Sequence, residues 1–158
     1  MNAAHSKLQL TDAEFRLFTD LVRRRCGLHF DETTRFLVER RLGRLLEESQ
    51  AASVASYLYQ LRNGPNSEEE FWRIIDVLTT NETYFFRERS QLTALVNEVI
   101  PEARLRGVRG RRPVSIWSAG CASGEEPFSV VMLGVEAGLV PGVDFRVYAS
   151  DISRAVLA

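Results

Sequence analysis

The sequence predicts an all-helical N-terminal domain followed by the opening of a parallel α/β domain. Apolar residues recur at helical spacing through the first part of the chain. After a basic link at residues 104–112, a strand, a loop, a helix and a second strand follow in that order. With 45% hydrophobic and 26% charged residues, the chain has the balance of a globular protein.

Composition and charge exclude several classes of protein. The net charge of −1 gives no overall field that draws this chain to nucleic acid or to an anionic membrane. Cys26 and Cys121 are the only cysteines, which fits a reducing compartment and no disulfide framework. The polar start and the lack of an apolar run of roughly 18 residues predict a cytoplasmic protein without membrane insertion. His5 and His29 have no companion ligands at metal spacing, so we expect no metal.

Capping signals mark the helices of the first domain. Thr11 and Glu14 predict a capping box, and Gly27 ends the same helix. Ser67 and Glu70 predict a second capping box. Two further helices are predicted from about residue 31 and over residues 53–62. The predicted inward positions are Phe15, Phe18, Val22, Val38, Leu42, Leu45, Leu46, Val54, Leu58, Leu61, Phe71, Ile74, Ile75 and Leu78.

The domain boundary is predicted near Ser90, which gives domains at residues 1–89 and 90–158. Residues 79–87 break the helical pattern, and the helix after them is assigned to the domain that it leads into. Pro101 is expected to end or kink that helix. The helix carries Leu92, Leu95, Val96 and Val99 on one side.

The second domain opens with strands predicted at residues 114–117 and 145–149. The helix between them is expected to begin at Pro127 and to stop at Gly138, with Phe128, Val131, Met132 and Val135 inward. Two strands do not form a stable parallel sheet alone. The missing strands either follow in a longer protein or come from a partner. We favour a truncated domain, and we expect a 158-residue chain that is incomplete and inactive without the rest.

The loop after the first strand predicts a binding site for S-adenosyl-L-methionine. Gly120 and Gly124 remove side chains where a ligand meets the backbone, just before a helix N-terminus. Glu125 and Glu126 would repel a phosphate there but attract an ammonium or sulfonium cation. Asp151, directly after the second strand, lies where an acidic residue accepts hydrogen bonds from a ribose. The structural alternative is an ordinary glycine turn whose acids merely favour a helix N-terminus.

Two long motifs then point to a family. Leu78-Thr-Thr-Asn-Glu-Thr-Tyr-Phe-Phe-Arg87 and Trp117-Ser-Ala-Gly-Cys-Ala-Ser-Gly-Glu-Glu-Pro-Phe-Ser129, followed by Ala149-Ser-Asp-Ile152, closely resemble the CheR family of chemotaxis receptor glutamate O-methyltransferases. The resemblance covers nearly the whole chain from Thr11. It implies a small helical domain joined to a Rossmann-like domain that binds S-adenosyl-L-methionine and releases S-adenosyl-L-homocysteine.

The resemblance also implies roles for particular residues. The cofactor-binding positions are Asn81, Thr83, Arg87, Gly120, Glu125, Glu126 and Asp151. Glu126 is favoured over Glu125 for the methionine part, Asp151 matches the ribose-binding acid, and Arg87 is the catalytic candidate. Without the motif, Arg87 would be read as a surface ion pair with Glu82 or Glu88. At least one of Phe85 and Phe86 is expected to be plain core packing.

A basic face on the second helix is the predicted docking surface. By resemblance, Arg40, Arg41 and Arg44 meet the cytoplasmic helices of a methyl-accepting chemotaxis receptor; from the residues alone, a solvated helix face is the simpler interpretation. We expect a monomer that binds no nucleic acid. Open alternatives are a non-catalytic receptor- or regulator-binding module, a nicotinamide-dependent oxidoreductase, and a methyltransferase with a different substrate.

The predicted chemistry needs positioning more than acid–base groups. A glutamate carboxylate has a pKa near ~4.3, so it is already a nucleophile at neutral pH. What remains is to align the carboxylate oxygen with the methyl group and to exclude water. This agrees with a site without histidine, and Cys121 is interpreted as a packing residue.

Overall fold

The computed structural model describes residues 8–49, 51–106 and 112–157, so His5 and most of the basic link lie outside the described residues. The described residues form two compact units, one ending at Thr79 and one beginning at Thr80. The first unit is entirely helical, and the second contains helices and a parallel sheet of two strands. The predicted fold class is therefore confirmed.

In residues 8–49 and 51–79 the first unit contains four helices. They are α1 (Asp12–Cys26), α2 (Arg35–Ser49), α3 (Val54–Asn63) and α4 (Ser67–Leu78). α1 packs on α3, α2 packs on α4, and α3 contacts both α2 and α4. The interior is lined by the predicted apolar positions, except that Leu46 and Val54 are only half-buried and Tyr57 joins the buried set.

One of the two predicted capping boxes is present. The Thr11 side chain accepts a hydrogen bond from the Glu14 amide, and the Glu14 carboxylate accepts one from the Thr11 amide at 2.9 Å. The capping box predicted at Ser67 is wrong, because Ser67 lies inside α4 and Asn66 occupies the cap position. The Glu70 carboxylate instead accepts a hydrogen bond from the Tyr57 hydroxyl at 2.5 Å, which ties α3 to α4.

The second unit begins with a helix that changes its winding. It runs from α5 (Arg89–Ala94) through a π-helical turn (Leu95–Val99) into α6 (Ile100–Arg106). Of the two effects expected of Pro101, an end of the helix is wrong, because α6 continues to Arg106, and the distortion beside the proline is the π-helical turn. The Ile100 amide donates to the Leu95 carbonyl, five residues back, and this wider turn immediately precedes the proline. A π turn of this kind relieves the clash of a proline ring with the preceding turn.

A strand–helix–strand unit completes the structure. β1 (Val114–Ala119) and β2 (Phe145–Ser150) pair in parallel, with Val114 opposite Phe145 and Ala119 opposite Ser150. α7 (Glu125–Glu136) connects them. Both strands are longer at their carboxyl ends than predicted, so the site residues follow the sheet directly.

The predicted inward face of α7 is wrong at three of its four positions, and Val131 alone of the four packs, partly buried, against the core of the second unit. Phe128, Met132 and Val135 are exposed, whereas the buried positions are Ser129, Val130, Leu133 and Gly134. The packing explains the rotation: a Cβ on Gly134 would lie 2.6 Å from the Phe145 ring. Gly134 therefore lies close to Phe145 of β2, in a core that also contains Val130 and Leu133, while Phe128 and Met132 remain exposed.

The segment at residues 80–89 belongs to the second unit, which differs from the predicted boundary near Ser90. Phe86 packs against a core that contains Leu92, Val96 and Val130. The Asn81 side chain also donates to the Ser153 hydroxyl at 3.3 Å. Because the aromatic and polar residues of this segment follow no helix or strand period, the sequence did not indicate which unit the segment joins. In the described ranges, no helix has the length and apolar character needed to cross a membrane.

The two capping sites give a matched pair of stability predictions. Thr11→Ala removes a side-chain cap and is expected to lower the free energy of unfolding by about 0.5–2 kcal/mol. Ser67→Ala alters a helical residue that caps nothing and is expected to change it by less than about 0.5 kcal/mol. Urea denaturation followed by circular dichroism measures both. Equal losses in the two variants would contradict the assignment of the caps.

Candidate cofactor site

The parallel pairing brings the loop after β1 beside the residue after β2. The Ser150 carbonyl accepts hydrogen bonds from the Gly120 amide at 2.8 Å and from the Cys121 amide at 3.0 Å. Ligands of open α/β sheets bind at the carboxyl ends of the strands. The predicted loop and the predicted ribose-binding acid are thus brought together.

Both carboxylate oxygens of Asp151 accept hydrogen bonds, and one of them fastens the loop after β1. Its Oδ2 accepts a hydrogen bond from the Ala122 amide, and its Oδ1 accepts one from the Ser153 amide, each at 2.8 Å. Ala122 is held in a left-handed conformation with φ of 46°. Because each carboxylate oxygen has two lone pairs, Asp151 retains capacity to accept hydrogen bonds from a ligand.

The two adjacent acids are held by different partners. The Glu126 Oε1 accepts a hydrogen bond from the buried Ser118 hydroxyl of β1 at 2.6 Å. The Glu125 carboxylate accepts bonds from the Ser123 hydroxyl at 2.8 and 3.0 Å, within the loop itself. Only Glu126 is therefore anchored to the sheet, at the strand end where the loop begins.

α7 starts two residues earlier than predicted, so Glu125 and Glu126 lie in its first turn and Pro127 is its third residue. The proline is still acceptable, because the first amides of a helix have no intrahelical partner. Both acids therefore lie at the positive end of the helix dipole.

The Asn81–Arg87 segment lies in the same unit as the loop. Asn81 contacts Ser153, two residues beyond Asp151, as described above. The exposed Arg87 donates from Nη1 to the Glu82 carbonyl at 2.7 Å, and its guanidinium carbon lies 5.8 Å from the Tyr84 ring centroid. Arg87 thus binds the main-chain carbonyl of Glu82 and does not form the ion pair with the Glu82 carboxylate that the alternative interpretation predicted. Thr83 is half-buried.

The two phenylalanines differ in burial, and one of them packs in the core as expected. Phe86 is half-buried and packs on the core of the second unit, whereas Phe85 is 52% exposed. Phe86 and Glu88 both have positive φ, at 59° and 51°, on either side of Arg87. Left-handed residues other than glycine are strained and concentrate at functional sites.

Cys121 is buried at the centre of the loop. Burial raises the pKa of its thiol, and the carboxylates of Asp151 and Glu126 raise this pKa further. The thiol therefore stays protonated at neutral pH, in agreement with a packing role rather than a nucleophilic one.

The arrangement fits a cationic ligand that approaches the backbone. Gly120 has φ of 82°, and a Cβ placed on it would meet no atom within 4 Å, so the turn is open there. Around this opening the chain supplies backbone groups and the carboxylates of Glu126 and Asp151. In residues 8–49, 51–106 and 112–157, no group of three or more metal-ligating side chains is close enough to hold a metal ion.

The three arginines of the basic face do not share one environment. Arg40 and Arg44 are exposed on α2. Arg41 instead donates from Nη1 to the Leu78 carbonyl and, at 3.3 Å, to the Thr79 carbonyl. Burial lowers the pKa of Arg41. Its guanidinium thus satisfies the C-terminal end of α4, a structural role.

Three serines that contribute to the site were missed in the sequence. Ser118, Ser129 and Ser153 are buried, and each binds a site residue or its backbone. A polar residue on the inward face of a helix indicates a buried hydrogen bond, and Ser129 is such a residue. The sequence analysis missed it because the inward face of α7 was assigned to the larger apolar side chains.

Comparison with known proteins assigns the chain to a family. Residues 13–79 match the all-alpha domain of CheR methyltransferases, and residues 81–158 match their SAM binding domain. The chain belongs to the CheR methyltransferase family. The predicted cofactor, S-adenosyl-L-methionine, is confirmed by the second match.

Individual CheR relatives agree along almost the whole chain. The chain is 37% identical to chemotaxis protein methyltransferase 2 of Vibrio cholerae over 156 residues, which are 96% of this chain and 52% of that protein. It is 37% identical to the chemotaxis protein methyltransferase of Escherichia coli over 153 residues, 96% of this chain and 50% of the relative. The chain thus spans about half the length of these relatives.

Proposed function

We propose that the protein containing this chain transfers a methyl group from S-adenosyl-L-methionine to glutamate side chains of bacterial chemoreceptors. The observation that carries the proposal is the open turn at Gly120 in a loop whose Ala122 amide is bound by Asp151, with Glu126 anchored to Ser118 of β1. Membership of the CheR family and the names of the chemotaxis relatives support the substrate. On this proposal the enzyme works in the cytoplasm, where the receptor helices lie.

Each site residue then has a defined role towards the cofactor. Asp151 accepts hydrogen bonds from the ribose hydroxyls, and Glu126 receives the ammonium group of the methionine part. Arg87 offers a planar guanidinium to the cofactor carboxylate or to the incoming glutamate. Asn81 and Thr83 add short polar contacts, while Glu125 contributes charge from the first turn of α7.

The residues of the chain position and shield the reaction rather than move protons. When bound, the cofactor supplies a methyl group already activated by its sulfonium. The substrate carboxylate, with a pKa near ~4.3, is ionised at neutral pH and needs no general base. Arg87 and the acids therefore contribute alignment, which accounts for a large share of catalysis in such reactions. The exposed Phe85 is suited to exclude water.

The docking face of the proposed enzyme is smaller than the sequence implied. Arg40 and Arg44 project from α2, and Arg40 lies over the ring of the exposed Phe36, with its guanidinium carbon 5.7 Å from the centroid. This pair is suited to the acidic helices of a receptor that carry several glutamates. We leave Arg41 out of the face because it contacts α4.

Methyl transfer to receptor-containing membranes is the direct test. The full-length protein, incubated with methyl-labelled S-adenosyl-L-methionine, is expected to form base-labile methyl esters on receptor glutamates. Receptors with those glutamates changed to alanine provide the control. Cofactor binding without ester formation would instead favour a non-catalytic receptor-binding module.

The same assay separates docking from chemistry. Arg40→Glu combined with Arg44→Glu is expected to raise the KM for receptor by about tenfold through charge repulsion, with affinity for S-adenosyl-L-homocysteine unchanged. Arg62→Glu on α3, also a charge reversal of an exposed arginine, is the control and should leave the receptor KM within about twofold. An unchanged KM in the double variant would remove Arg40 and Arg44 from the docking face.

The acid pair predicts a difference in cofactor affinity. Glu126→Gln removes a charge that is anchored to β1 and is expected to weaken S-adenosyl-L-homocysteine binding by about 10- to 100-fold, the range for a lost hydrogen bond to a charged group. Glu125→Gln is expected to weaken it by less than about threefold, because its carboxylate contacts only the loop. Isothermal titration calorimetry measures both. The reverse order would exchange the roles of the two acids.

A further inference from the structure

A fully buried serine joins the Arg87 segment to the helix that carries the acid pair. Ser129 lies in α7 with none of its surface exposed. Its hydroxyl donates to the Glu125 carbonyl at 2.5 Å and accepts a hydrogen bond from the Phe86 amide at 2.9 Å. One side chain therefore connects the first turn of α7 to the residue before Arg87.

Because the Ser129 hydroxyl donates one hydrogen bond, it can only accept the other. A hydroxyl has a single proton, which here is committed to the carbonyl four residues back in the helix. The oxygen lone pairs are then left for the Phe86 amide, which belongs to a segment without regular secondary structure. Because Ser129 itself is fully buried, removal of its hydroxyl leaves the Phe86 amide without this acceptor.

The backbone that Ser129 holds is strained. Phe86 and Glu88 both have left-handed φ values, of 59° and 51°, and Arg87 lies between them. Such conformations persist where surrounding contacts over-determine them. For Phe86 those contacts are the Ser129 hydroxyl and the packing of its ring against the core of the second unit.

We propose that Ser129 is a positioning residue for the cofactor site. By holding the Phe86 amide, it fixes the backbone from which Arg87 projects, relative to the helix that begins with Glu125 and Glu126. Ser129 does not touch the reacting atoms and acts through Arg87. The inference rests on the proposed function and adds to it a residue that sets the site's geometry.

A double-mutant cycle tests whether Ser129 acts through Arg87. In the full-length protein, Ser129→Ala is expected to weaken S-adenosyl-L-homocysteine binding by about 5- to 30-fold. In the Arg87→Ala background, the same change should weaken it by less than about twofold. Calorimetry measures all four affinities. Equal losses in both backgrounds would show a merely structural role and overturn the proposal.

Val130→Ala is the matched control. Val130 is buried at the neighbouring position of α7 but has no side-chain hydrogen bond to offer Phe86. Its truncation disturbs the helix packing, and any effect on affinity is expected to be the same with and without Arg87. Coupling to Arg87 as large as that of Ser129 would overturn the specific role of the hydroxyl.

Amide hydrogen exchange gives a readout that needs no cofactor. The Phe86 amide is expected to exchange slowly in the wild type and at least tenfold faster in Ser129→Ala, with the Leu133 amide of α7 unchanged. Unchanged protection of Phe86 would overturn the role of Ser129 whatever the cofactor does. Failure of the wild type to bind S-adenosyl-L-homocysteine, with Phe86 protection lost in Ser129→Ala, would overturn the proposed function and leave the turn-holding role of Ser129 standing.

Discussion

The in-register parallel pairing of β1 and β2 is the constraint on which the site depends. It ends with Ala119 opposite Ser150, so the loop after one strand starts level with the acid after the other. The Ser150 carbonyl then binds the first two amides of the loop, and Asp151 binds the third residue, Ala122. A shift of one residue would turn every side chain of a strand to the opposite face and separate these partners.

A second set of contacts attaches the Asn81–Arg87 segment to the same unit. Asn81 binds Ser153 beyond β2, and Phe86 binds Ser129 in α7. The segment is thus fastened at Asn81 to the chain that follows β2 and at Phe86 to the helix that follows the loop. This explains why the segment is polar and aromatic and breaks the helical pattern. Its residues contact other elements and do not form a periodic helix face.

The elements with strong local signals were predictable from the sequence, and those decided by tertiary packing were not. The capping box at Thr11 and the stop at Gly27 are local features and are confirmed, since Gly27 has φ of 81°. The capping box at Ser67 failed because Glu70 contacts Tyr57 instead. The prediction of the inward face of α7 failed because Gly134 and Phe145 pack closely, which the periodicity of large apolar residues does not reveal.

For the candidate site, the motif and the strand order predicted that Gly120, Glu126 and Asp151 lie together. The contacts of the supporting serines became visible only in three dimensions.

The central claim is that Asp151 and Glu126 frame a turn at Gly120 on which the methyl donor lies. A crystal structure of the full-length protein with S-adenosyl-L-homocysteine tests this most directly. We expect the ribose hydroxyls within hydrogen-bond distance of Asp151 and the amino group of the ligand beside Glu126, with the β1–β2 register unchanged. A ligand bound elsewhere, with no atom in contact with residues 120–126 or Asp151, would contradict it.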